Sequence, residues 1–154
     1  VMALFGLENS SEEGCRQALL AARGMAAALD ELNRTLAHDM SEPLRIGIGL
    51  HAGTVIVGEM GYARVTSVTA IGDAVNTASR LEQLTKEFSA QLVVSRRVVK
   101  RAGVDLRNFP RREIEVRGRV EPMAIYVVAN ALDLPADLSA IARAPKREAV
   151  SPAT

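Results

Sequence analysis

The sequence predicts an α+β fold, one largely antiparallel sheet with helices packed on a face. Three observations carry this reading. Strand-type and helix-type apolar periods follow one another in the order β, α, β, β, β, α, β, short α, β, β. Three of the strand runs succeed each other with no helix between them, which suits an antiparallel sheet. The chain has 154 residues, 48% hydrophobic and 24% charged, so it holds one domain that folds by burying a core.

Taken in order, Val1 to Phe5 reads as a buried strand that ends at Gly6. Ser10 and Glu13 fit the S-x-x-E capping box, opening a helix from about Ser11 to His38. Along it Cys15, Ala18, Leu19, Ala22, Ala26, Leu29, Leu32 and Leu36 recur at helical spacing, and Pro43 lies beyond its end. Leu44 to Leu50 and Thr54 to Val57, joined through His51-Ala52-Gly53, read as an antiparallel hairpin. Arg64 to Ile71 alternates Val65, Val68 and Ile71 with Thr and Ser and extends the sheet. Gly72-Asp73 introduces a second helix to about Phe88, with Asp73 as its N-cap. Gln91 to Ser95 is a short buried strand and Arg96 to Arg101 a short basic helix. Arg111 to Val116 and Met123 to Ala129 are the last two strands. The domain is placed at residues 1–130, and 131–154 read as an Ala/Pro-rich tail without a sustained period.

Composition removes several functional classes. The longest run free of charge, Ile46 to Gly58, has 13 residues including four glycines, too few to cross a bilayer. The lone Cys15 has no partner for an internal disulfide, which fits a reducing compartment. Net charge is +1, yet residues 96–119 alone carry +6. Such a block is either a solvated surface or a site for polyanions. Phe109 is its single aromatic residue, and single-stranded nucleic acid needs several stacking platforms.

Motifs narrow the field further. Gly47-Ile48-Gly49-Leu50-His51-Ala52 matches the dinucleotide fingerprint G-x-G-x-x-[GA], but a strand follows where that motif needs a helix. The glycines read instead as places where a neighbouring strand or a ligand comes close. No P-loop sequence occurs, and His38 and His51 lack any second ligand at zinc spacing, so His51 reads as a turn or core residue. The informative segment runs from Thr69 to Glu82, TAIGDAVNTASRLE. On its helix Asn76 and Arg80 stand at i and i+4, one turn apart on one face. An amide beside a guanidinium suits a ribose and its phosphate, although a surface Asn with Arg80 paired to Glu82 or Glu87 has the same spacing.

That segment resembles the signature of the class III nucleotide cyclases, the adenylate and guanylate cyclases. Ile71, Gly72, Asp73, Val75, Asn76, Ala78, Ser79, Arg80, Leu81 and Glu82 match its I-G-[DN]-x-V-N-x-A-[SA]-R-L-E. The resemblance continues upstream in Arg45 to Gly53 and in Gly58-Glu59-Met60-Gly61, and downstream in Val116-Arg117-Gly118 and Tyr126. It implies a ferredoxin-like cyclase sandwich in which ATP is cyclised by its own ribose 3′-oxygen and pyrophosphate leaves. By the same resemblance Asn76 orients the ribose, Arg80 stabilises the α-phosphoryl group, Thr69 reads adenine and Arg117 holds the triphosphate. It further implies two Mg or Mn ions and a head-to-tail homodimer that shares its sites, with ATP and no nucleic acid as partner. The family's two metal-binding aspartates fall before Val1, so the chain reads as the C-terminal portion of a bacterial-type adenylate cyclase domain, cytoplasmic and expected to be inactive alone. The reading from a different class is a noncatalytic cyclase-like module that binds nucleotide or dimerises.

Overall fold

Ser10 accepts a hydrogen bond from the Glu13 backbone N–H at 3.2 Å, and helix α1 (Ser11–Thr35) begins there, as the capping box predicts. The structure, a computed structural model, describes residues 1–62, 65–116, 121–136 and 138. After α1 come β1 (Ile48–Leu50), β2 (Ile56–Tyr62), β3 (Val65–Ile71) and α2 (Asp73–Glu87). Then follow β4 (Leu92–Ser95), α3 (Arg96–Ala102), β5 (Arg111–Ile114), β6 (Met123–Val128) and a 3₁₀ turn at Ala131–Asp133.

The main sheet has the order β1-β4-β6-β5. β6 pairs antiparallel with both β4 and β5, while β1 runs parallel to β4 with Leu50 opposite Val94. β2 and β3 form a separate antiparallel ribbon from Ile56 opposite Ile71 to Tyr62 opposite Val65. The fold is thus α+β and largely antiparallel, as expected. Its helices take both faces of the sheet rather than one. Leu92, Val94 and Val128 belong to the core under α1 and α3, whereas Val93, Ile125 and Val127 pack with Leu81 and Leu84 of α2. Burial on both faces is why β4 and β6 read as nearly continuous apolar runs. Leu19, Leu81 and Leu92 are fully buried, each stabilising the fold by about 1.5–3 kcal/mol relative to exposure. Packing continues past residue 130, since Ala131, Leu134 and Leu138 are buried in the α1 core.

Three local expectations are corrected. Val1 to Phe5 forms no strand, because a strand needs a paired neighbour and no described strand pairs with it. The hairpin expected between Leu44–Leu50 and Thr54–Val57 does not form either. β1 pairs with β4, and the Thr54 run instead feeds β2, which passes straight through Gly58 and Gly61 to meet β3. The N-cap of α2 is Gly72, not Asp73, and it makes no side-chain cap. Gly72 has φ +147°, a conformation open to glycine, and an added Cβ would lie 3.2 Å from the Thr54 carbonyl oxygen. Asp73 becomes the first helical residue, where its charge favours the helix N-terminus.

α1 also ends at Thr35, a few residues short of His38. Asn33 near its end donates to the Leu44 carbonyl at 3.0 Å and accepts from the Leu44 N–H at 2.8 Å. This amide clasp ties the helix to the segment entering β1. Gly47 and Gly49 are where α2 lies down on that segment: a Cβ on Gly49 would overlap the Ala78 carbonyl oxygen and the Glu82 amide nitrogen. The close approach expected at these glycines is therefore real, and its partner is a helix rather than a strand or a ligand.

Candidate active site

The site grows out of the β3–Gly72–α2 junction. β3 delivers Thr69, half-buried and paired with Gly58, then the buried Ala70 and the exposed Ile71. Gly72 turns the chain into α2. The helix buries Ala74, Thr77, Leu81, Leu84 and Thr85, leaving Asn76 and Arg80 on its exposed side. Their i, i+4 spacing places them one turn apart on that side. Arg80 Nη1 lies 3.8 Å from Glu87 Oε1, with both side chains more than half exposed, at 51% and 58%. That is the loose surface pair anticipated as one reading of Arg80; it is worth little and leaves the guanidinium free to engage an anion. Thr69 leads directly into the helix that carries Asn76 and Arg80. Arg117 lies outside the described residues.

A cavity of about 590 Å³ opens at the same end of the sheet, lined by His51, Arg96, Arg97, Arg111, Glu113 and Glu121 with Pro122, Met123 and Ala124. The residues come from the segment after β1, the start of α3, β5 and the strand end entering β6. Loop 51–53 joins it to α2. A Cβ on Gly53 would press on the Ala74 side chain, and His51 Nε2 is 3.7 Å from that point. Arg97 Nη1 donates to the Ala52 carbonyl at 3.3 Å, fixing α3 to the loop. The sequence reading missed this gathering. Its only trace there is the +6 charge of residues 96–119, which says nothing of which arginines meet.

A family model described as the adenylate and guanylate cyclase catalytic domain matches residues 1–130. The chain belongs to that family. Among its relatives, an adenylate cyclase of Anabaena cylindrica is 35% identical over 136 residues, covering 83% of this chain and 26% of that protein. Adenylate cyclase 1 of Rhizobium meliloti is 30% identical over 120 residues, covering 78% of this chain and 17% of that protein. The solved guanylyl cyclase Cya2 aligns with a TM-score of 0.68 at 27% identity, over 82% of this chain and 63% of the other. The adenylyl cyclase CyaB of P. aeruginosa aligns with 0.64 at 26% identity, over 82% and 65%. The cyclase resemblance in the helix α2 signature therefore extends to the fold. The chain spans about a quarter or less of these two sequence relatives.

The two metal ions that the resemblance implies are a separate matter. Among the described residues no three His, Cys, Asp or Glu side chains gather to hold a metal ion. Asp73, the acidic residue nearest the cyclase signature helix's start, stands there as a first-turn residue of α2. The described residues do not fit a two-ion site. No helix among the described residues is long and apolar enough to cross a membrane.

Proposed function

We propose that this chain supplies the ribose-binding and charge-stabilising half of an adenylate cyclase site, converting ATP to 3′,5′-cyclic AMP and pyrophosphate when the remaining groups are present. The observation that carries the reading is the pair Asn76 and Arg80, exposed one turn apart on α2, with only a loose ion pair at Arg80. The Asn76 amide has both a donor and an acceptor to hold the ribose so that its 3′-oxygen faces the α-phosphorus. The Arg80 guanidinium meets the negative charge that grows on the α-phosphoryl oxygens, a form of stabilisation worth about 3–4 kcal/mol per donor. Metal ligands and the attacking oxygen's activation come from groups other than the described residues, supplied across a head-to-tail pairing of two domains. The β2–β3 ribbon supports such pairing. It is not hydrogen-bonded to the main sheet, and its end pair Ile56 and Ile71 is 75% and 56% exposed.

Adenylyl and guanylyl cyclases both stand among the solved neighbours, so the fold does not choose the base. Thr69 does so in this reading, its hydroxyl accepting from the adenine amino group. Thr69→Ala in a cyclase domain of full family length that contains these residues is expected to cut the preference for ATP over GTP by about tenfold, the worth of one hydrogen bond. The ratio of kcat/KM for the two nucleotides measures it. An unchanged ratio removes Thr69 from base reading. The second reading, a noncatalytic cyclase-like module that binds nucleotide or dimerises, predicts no cyclic AMP under any pairing.

A further inference from the structure

Gly58 stands inside strand β2, where a glycine weakens the strand and packs nothing. Most described glycines have a visible reason: a positive φ at Gly6, Gly72 and Gly103, or a neighbour that an added Cβ would overlap at Gly14, Gly47, Gly49 and Gly53. Gly24 and Gly58 have neither, with nothing within 4 Å of the Cβ that each would gain. Gly24 lies on the exposed side of α1, and an idle glycine there needs no explanation. A glycine inside a strand marks a bulge, a barrel corner or the close approach of another body. The ladder runs through Gly58 without a skipped residue, Val57 opposite Ala70, Gly58 opposite Thr69 and Glu59 opposite Val68, so there is no bulge. A two-stranded ribbon has no barrel corner to turn. No described residue makes the close approach. The space over Gly58 is therefore open to something beyond the described residues.

What enters that space follows from what shares its face. Directly opposed residues of an antiparallel pair project to the same side, with Cβ positions about 4.5–5.5 Å apart. The opening at Gly58 thus lies beside the side chain of Thr69, which is half-buried. Next along the same side comes the pair Ile56 and Ile71, both more than half exposed. A hydroxyl at the edge of an open, apolar-flanked notch suits a flat ring with apolar faces and a polar edge. Such a ring, lying against the strand, comes closer than one methyl group permits. A side chain at position 58 would stand where the ring must lie to reach the Thr69 hydroxyl.

We propose that Gly58 is a specificity-determining residue: its missing side chain makes room for the purine ring against β2, so that the edge of the ring meets Thr69. The inference rests on the cyclase reading for the identity of the ring and on the β2–β3 register for its place. Asn76 and Arg80 act on the ribose and the α-phosphoryl group in that reading, whereas Gly58 acts on the base alone. A larger residue at 58 lifts the ring off the strand and leaves the phosphate contacts as they were. Because no described residue packs there, the same change costs the fold nothing, and valine suits a strand better than glycine.

The test is calorimetric titration, with Mg present, of a cyclase domain of full family length that contains these residues. One ligand is 3′-deoxy-ATP, which lacks the attacking oxygen and so binds without turnover; the other is inorganic triphosphate, which lacks the base. Gly58→Val is expected to weaken 3′-deoxy-ATP by at least about tenfold, and Gly58→Ala by a smaller factor. Triphosphate affinity is expected to stay within about twofold, and the melting temperature to stay equal or rise. Gly24→Ala, whose added Cβ also meets nothing, is expected to leave both affinities unchanged. Unaltered 3′-deoxy-ATP affinity in Gly58→Val, or no binding of 3′-deoxy-ATP by the unsubstituted domain, overturns the proposal. A parallel loss of triphosphate binding or a lower melting temperature also overturns it, making the glycine structural. So does a shift to monomer in light scattering, which makes a second domain the body that approaches Gly58. The cyclase reading fails separately: 3′-deoxy-ATP binding that Gly58→Val weakens, in a domain that forms no cyclic AMP from ATP, keeps the base notch and removes that reading.

Discussion

Arg80→Ala or Asn76→Ala, made in a cyclase domain of full family length that contains these residues, is expected to lower turnover by about ten- to a thousandfold. Stability is expected to stay within about 0.5 kcal/mol of the unsubstituted protein. The two effects separate because of where the side chains stand. Asn76 is exposed, and the only described ion pair of Arg80 is the 3.8 Å contact with Glu87 between two half-exposed groups. A surface pair of that kind contributes little to folding. Loss of kcat with KM nearly unchanged marks an interaction made chiefly in the transition state, and that split is the expected signature for Arg80. Rates equal to those of the unsubstituted enzyme remove the role assignment. A matching loss of melting temperature makes the pair structural instead.

Gly49→Ala has the opposite profile, a large cost to folding from one methyl group. The added Cβ overlaps the Ala78 carbonyl oxygen and the Glu82 amide of α2, and both are backbone atoms that cannot rotate away. Either β1 moves off β4 or α2 lifts from the sheet. Overpacking against rigid neighbours falls at the upper end of the usual cost, about 3 kcal/mol, or roughly a 10 °C fall in melting temperature for a chain of this size. Because α2 carries Asn76 and Arg80, the same substitution is expected to displace the site. A thermal melt measures the first effect. Gly24→Ala is the internal control, since nothing lies within 4 Å of the Cβ it would add, and helix α1 gains propensity from the change. Equal melting temperatures for the two variants contradict the packing described between α2 and β1.

What the sequence revealed, and what it concealed, follows from which interactions are local. The α1 cap, the amphipathic face of α2 and the strand runs at β4 and β6 depend on residues a few positions apart, and those were legible. So was the pair Asn76 and Arg80, because four residues on a helix define a face. The partner of β1 was not legible. Its pairing with β4 joins residues some forty positions apart, and an apolar run carries no mark of which other run it joins. Gly58 and Gly61 obscured the continuation of β2: the expected run stopped at Val57, whereas the strand passes through both glycines. The runs Leu92–Val94 and Met123–Val128 did hold the clue to helices on both faces, since a half-exposed strand alternates and these do not. The arginine cavity is the clearest case of non-local information. Arg96 and Arg111 meet only because β4 and β5 both pair with β6.

Complementation tests the central claim most directly. The 154-residue chain is mixed with a cyclase domain of the same family that keeps its metal-binding aspartates but has alanine at the positions matching Asn76 and Arg80. Cyclic AMP formed from ATP is then measured with Mg or Mn present. The account predicts that neither component alone is active and that the mixture is. Activity rises with chain concentration to a plateau and disappears when the chain carries Asn76→Ala or Arg80→Ala. No cyclic AMP from the mixture at saturating chain, or undiminished activity with either substituted chain, contradicts it.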